Sequence, residues 1–113
     1  MLHYMKLSVE PFEMIKSGKK IYELRLFDEK RQAISVNDKI EFTCQANGEK
    51  LTVNVVEILR FPSFIDLYEA LSPLEIGYTK QNYKLSSPLD MQRYYSKEEQ
   101  ERYGVVAIKI QRV

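Results

Sequence analysis

Three charged residues at close spacing have the types needed for chemistry: Lys20, Glu23 and Arg25, within Gly18-Lys19-Lys20-Ile21-Tyr22-Glu23-Leu24-Arg25. From Tyr22 onward apolar and charged residues alternate with the period of a strand. Tyr22, Leu24 and Leu26 therefore share one face, and Glu23 and Arg25 share the other, which is expected to be wet. Lys20 stands at the corner where a helix closed by Gly18 gives way to that strand. A lysine held at a cleft can pair an anion or act as a base. A guanidinium offers a fork of donors and a carboxylate offers acceptors, a combination that suits the edge of a nucleobase. The plainer alternative is a solvated lysine beside an exposed i,i+2 ion pair, which would be worth little.

Other residues could join this group. Glu75 follows Pro73-Leu74 in an irregular stretch over 73–88, and a loop of that length in so small a chain is expected to be functional or mobile. It reads equally well as a solvated loop acid. There are eight tyrosines and no tryptophan. Tyr22 lies on the charged strand, and Tyr78, Tyr83, Tyr94, Tyr95 and Tyr103 fall in the second half. Half-buried packing explains such residues, and so does stacking on bases. Lys19 reads as rim, and Glu98 and Glu99 as a capping box behind Ser96.

Composition narrows the classes. With 113 residues there is room for one domain, residues 1–113, around one core. Apolar runs are too short to span a bilayer, and residues 1–6 do not read as a signal peptide, so a cytoplasmic location is expected. One cysteine, Cys44, precludes an internal disulfide and reads as a buried small hydrophobe at a strand end. With His3 the only histidine, a Cys–His pair and a structural zinc site are both disfavoured. No Gly-rich phosphate loop, metal-ligand cluster or Ser/His/Asp set is visible, so no cofactor or metal is expected. Net charge is +1, but it is unevenly spread. Residues 16–31 hold six bases against three acids, a net of +3, whereas 57–79 hold four acids against Arg60, a net of −3. Two solvated faces would produce that division; so would a basic rim beside Lys20.

The elements that must position these residues follow from local pattern. Residues 3–8 and 20–27 read as strands flanking a short helix that begins near Pro11. Residues 28–31 are a turn or a single helical turn, and Val36-Asn37-Asp38 is a turn. Residues 39–45 and 50–60 form a hairpin through Asn47-Gly48, with a bulge or bend at Val55-Val56. Ser63 caps a helix whose Phe64, Leu67, Tyr68 and Leu71 share a face. Pro88 starts a short helix, Ser96 caps another that Gly104 stops, and 105–111 is the closing strand. Hairpins mixed with helical excursions imply α+β with a curved or closed sheet.

Gly18, Lys20, Glu23 and Arg25 fit a G-x-K-x-x-E-x-R pattern that resembles the signature of the ASCH domain, the activating signal cointegrator homology family. The strand before a Pro-Phe helix, Val36 to Ile40 leading into a strand, and the closing Tyr103-Gly104-Val105-Val106 resemble that family over nearly the whole chain. The resemblance implies a small PUA-like β-barrel of five to six strands with short helices packed around it, related to domains that bind RNA. It also implies a runner-up activity. One bacterial branch hydrolyses N4-acetylcytidine with a Lys and a Thr from this strand and a Glu from a later loop. Here Glu23 stands where that branch has its nucleophilic Thr. Hydrolysis would then need water as nucleophile, with Glu23 as base, Lys20 as the cation facing the oxyanion and Glu75 as the acid. The leading expectation is recognition of RNA or a nucleoside-like ligand. Lys20, Glu23, Arg25, Tyr22 and Tyr78 would bind it, in a cleft between Lys20 and the 73–88 loop. A third reading makes the chain a protein-interaction module in which the Glu23–Arg25 pair is structural.

Overall fold

The computed structural model describes residues 1–113, and its elements follow the local signals closely. Strand β1 (Leu2–Leu7) leads into α1 (Val9–Lys16), then β2 (Tyr22–Leu26), α2 (Glu29–Gln32), β3 (Lys39–Cys44) and β4 (Lys50–Phe61). Helix α3 (Phe64–Ala70) is followed by 3₁₀ turns at Pro73–Ile76, Tyr83–Leu85 and Pro88–Arg93, then α4 (Lys97–Tyr103) and β5 (Val105–Arg112). The Asn47-Gly48 turn closes the β3–β4 hairpin, with Gly48 at φ 74. Pairing of β4 with β5 jumps from Val55–Ile110 to Glu57–Lys109, so Val56 is the extra residue of a bulge. Ser96 and Glu99 exchange both capping-box bonds at the start of α4.

The five strands form one mixed sheet in the order β1-β3-β4-β5-β2, with β1 and β3 parallel and the other pairs antiparallel. The sheet curls into a half-barrel whose two edges are β1 and β2. These edges are not paired with each other. Arg25 reaches across that seam, donating from Nη2 to the Lys6 carbonyl at 3.0 Å. Inside the curl lies a core that includes Phe12, Ile15, Ile40, Phe42, Val53, Val106 and Ile108. A second cluster covers the outer face of β2 and β5, where Tyr22, Leu24, Leu26, Val105 and Ala107 pack with Phe64 and Leu67 of α3 and with Ile76. Buried Gln100 of α4 accepts from the Phe64 N–H at 3.2 Å and so ties α4 to the start of α3. No helix is long and apolar enough to cross a membrane. Cys44 is buried at the end of β3.

One expectation is overturned in an instructive way. The alternation along β2 holds, but neither face is wet. Glu23 lies opposite Ile108 and Arg25 opposite Val106, so the charged pair points to the inner side of the curl, where Ile108 and Val106 are core. Tyr22, Leu24 and Leu26 point to the outer layer. Alternation shows that two faces differ; it does not show which one the rest of the chain covers.

Away from β2, His3 Nε2 hydrogen-bonds Asp38 Oδ2 at 2.8 Å, and the Ser35 N–H donates to the same oxygen at 3.0 Å. These bonds hold the Asp38 carboxyl at about 2, below its ordinary 3.8, and pin the start of β3 to β1. A depressed carboxylate stabilises the fold above its unfolded value, and the gain disappears as pH falls through the folded value. Asp38→Asn should therefore be less stable than wild type by a constant amount above about pH 4, with the gap closing below it. Urea unfolding across that range measures the gap.

Candidate nucleobase cleft at the seam of the half-barrel

The seam between β1 and β2 opens into a cleft of about 520 Å³, within the several-hundred-Å³ range of small-molecule sites. Its floor is the edge of β2, with Lys20, Glu23, Leu24 and Arg25. Lys6, Ser8, Pro11 and Met14 of β1 and α1 line one wall. Opposite them stand Tyr68 of α3 and Ile76, Gly77, Tyr78, Asp90, Arg93, Tyr94 and Tyr95 of the irregular segment. That segment, read from sequence as a loop over 73–88, is thus a wall built of 3₁₀ turns that extends to Arg93.

At the floor, one carboxylate serves two cations. Lys20 Nζ donates to Glu23 Oε1 at 2.9 Å, and Arg25 Nε donates to Glu23 Oε2 at 2.8 Å. Glu23 is 3 % exposed, Lys20 11 % and Arg25 15 %. Burial alone would push the Glu23 carboxyl up. The charges and hydrogen bonds of Lys20 and Arg25 outweigh it and hold the group below the usual carboxylate range. Burial likewise works against the Arg25 cation, and Glu23, with Tyr95 beside it, reverses the balance. The result is a fixed, charged platform whose carboxylate oxygens are each engaged.

The tyrosine wall is also bonded internally. The Tyr78 hydroxyl donates to Asp90 Oδ2 at 2.5 Å and lies 2.9 Å from the Tyr68 hydroxyl. Burial, then the bond to Asp90, keeps the Tyr78 phenol protonated far above its ordinary range. Burial raises Tyr95 as well, against the pull of Arg25 and Arg31. Beyond the floor, cations crowd together. The Lys30 ammonium is lowered by burial and then by the charges of Arg31 and Arg25, with Lys6 adding a smaller repulsion.

Among the residues singled out from sequence, Lys20, Glu23, Arg25 and Tyr78 meet at this cleft; Tyr22 and Glu75 do not line it. Strand parity sends Tyr22 to the outer layer. Glu75 accepts from the Ile21 N–H through its backbone carbonyl, and its carboxylate charge bears on Tyr22. Tyr22 thus lies on the far side of β2 from Glu23. Sequence reasoning missed Gly77. At φ +117, it lets the chain pass close over the Lys20 stem: a Cβ there would stand 3.3 Å from Lys20 Cδ. Gly77→Ala should cost about 1–2 kcal/mol in urea unfolding, from its left-handed φ alone, and should displace Lys20. Tyr68 and Asp90 were missed too, since neither spacing nor composition marks them.

A half-barrel with a small-molecule-sized cleft at its open seam is the class this geometry defines. The chain belongs to the ASCH domain family, whose model matches residues 5–113. It is similar to the crystal structure of hypothetical protein PH0355, at 34% identity over 100% of both chains with a TM-score of 0.81. It is also similar to the solution structure of protein PF0455 from Pyrococcus furiosus, at 36% identity over 100% of this chain and 98% of that one, TM-score 0.72. A mutant form of ZmASCH from Zymomonas mobilis shares the fold at 15% identity over 97% of this chain and 67% of that one, TM-score 0.68. No curated protein matches the chain closely enough to lend it an activity.

Proposed function

We propose that this ASCH domain binds a nucleobase in the seam cleft, presented by single-stranded RNA or by a free nucleoside. The observation that carries the reading is the Lys20–Glu23–Arg25 platform, fixed and charged at the floor of a cleft walled by tyrosines. Tyrosine rings offer stacking surfaces to any base. Lys6, Arg25 and Arg93 line the cleft, and Lys30 stands near enough to Arg31, Arg25 and Lys6 to be repelled by them, a cationic side that suits a phosphate. Membership of a family associated with RNA binding agrees with this.

The hydrolase alternative is weaker on chemical grounds. Its scheme needs Glu23 as a base, and a carboxylate held low by two cations accepts a proton poorly. It also needs Glu75 in the cleft, where Glu75 is not among the lining residues.

Titrating labelled oligouridylates of three to six nucleotides at low and at moderate salt tests the proposal. Affinity should fall with salt, with a log–log slope of roughly 0.7 per phosphate contacted. Undetectable binding at low salt would remove the RNA form of the reading, and equally undetectable binding of nucleosides would remove the rest.

A further inference from the structure

Strand β2 ends the sheet, so only one of its two edges is paired. In an antiparallel pair, successive residues turn their N–H and C=O alternately toward the partner and away from it. Two bonds fix the parity here. Ile110 N–H donates to the Ile21 carbonyl at 2.9 Å, and Phe27 N–H donates to the Gly104 carbonyl at 3.0 Å. Odd-numbered residues of β2 therefore face β5. The backbone groups of Tyr22, Leu24 and Leu26 face the open seam. Of these three, Leu24 lines the cleft. Leu24 is 6 % exposed, and no side chain or loop backbone supplies its N–H or C=O with a partner. Buried backbone polar groups are nearly always paired, so an unpaired donor and acceptor side by side in a cleft floor point to a ligand.

We infer that the Leu24 backbone reads the hydrogen-bonding edge of the bound base, an inference that rests on the nucleobase reading of the cleft. In an extended residue, N–H and C=O project the same way and side by side. Their complement is a planar edge with an acceptor next to a donor. In uracil the carbonyl oxygen accepts from Leu24 N–H, and N3–H donates to Leu24 C=O. The edges of the other bases carry the same kind of adjacent pair, so the backbone recognises a base without choosing among them; choice falls to the side chains. A peptide strand fits the same edge less well. Strand addition needs a continuous run of free positions, and the Arg25 bridge to the Lys6 carbonyl at 3.0 Å blocks the seam beside Leu24. A single ring needs only one residue's groups.

The test compares triuridylate with its counterpart methylated at every N3, which has the same charge and backbone but lacks the donor. Amide hydrogen exchange is followed by NMR on the intact chain. Triuridylate should slow exchange at the Leu24 amide, while the Glu23 and Arg25 amides, bonded to β5 throughout, stay as they were. The methylated trinucleotide should bind at least about tenfold more weakly, the scale of a lost bidentate base contact. Equal binding of both with Leu24 exchange unchanged would overturn the inference and leave the cleft reading standing. Binding of neither would remove the cleft reading, and the inference with it. A Leu24 amide already protected in the free protein would show an internal partner and overturn the inference directly.

Discussion

Replacing Glu23 by Gln is expected to destabilise the domain by about 3–5 kcal/mol, the cost of breaking a buried ion pair from one side. The carboxylate is 3 % exposed and is the hydrogen-bonded anion shared by Lys20 and Arg25. A neutral amide leaves two cations facing each other with little water to separate them. Its carbonyl oxygen can still accept from one of them, but its NH₂ group meets the other donor to donor. Urea unfolding of wild type and variant at neutral pH measures the loss, which should be evident as a lower midpoint with little change in slope. Wild type should itself lose this contribution in acid. The Glu23 carboxyl is depressed in the fold, so its stabilisation is full above the ordinary carboxylate value and fades as pH falls through the folded one. A fall well under 1 kcal/mol would mean that solvent reaches the triad and that the platform is not a buried one.

The second large effect separates stability from function. Buried charge clusters are seldom needed for stability, because apolar groups of similar volume do as well or better. Replacing the three together, as Lys20→Met, Glu23→Leu and Arg25→Met, should leave the domain within a few kcal/mol of wild type, on either side. It should also remove measurable ligand binding, since the cleft floor then offers no charge and, beyond the Leu24 backbone, no hydrogen bond. The two halves of this outcome carry different information. Retained stability with lost binding would identify the triad as a functional device kept at a cost. Lost stability would show that the Arg25 bridge to Lys6 is what closes the seam. Retained binding would place the contact surface elsewhere.

Local sequence carried most of the fold. The Asn47-Gly48 hairpin, the bulge at Val56, the Ser96–Glu99 box and the buried end of β3 at Cys44 each depend on a few neighbouring residues, and each stands where local rules put it. The pairing of Lys20, Glu23 and Arg25 was legible for the same reason, since two residues two apart on a strand share a face. Three things were not legible. Which face of β2 is interior depends on where β5 and α3 dock. The seam itself joins Arg25 to Lys6, two strands that never pair. The arrival of Tyr78, Asp90 and Tyr95 at the cleft that Lys20 lines depends on three consecutive 3₁₀ turns, which carry no periodic signal. Glu75 shows the limit well. Its place in the sequence put it near the cleft, but the turn that carries it is anchored by its own backbone carbonyl to Ile21 and its charge bears on Tyr22.

The most direct test of the cleft as a nucleobase site is chemical-shift mapping. A ¹⁵N-labelled sample is titrated with triuridylate at low salt, and the perturbed amides are placed on the fold. Binding in the cleft should perturb a continuous patch along Lys20 to Arg25, Gly77 to Tyr78 and Asp90 to Tyr95. Perturbations confined to residues that do not line the cleft, such as Asp38 and the Val56 bulge, or none at all at saturating nucleotide, would contradict it.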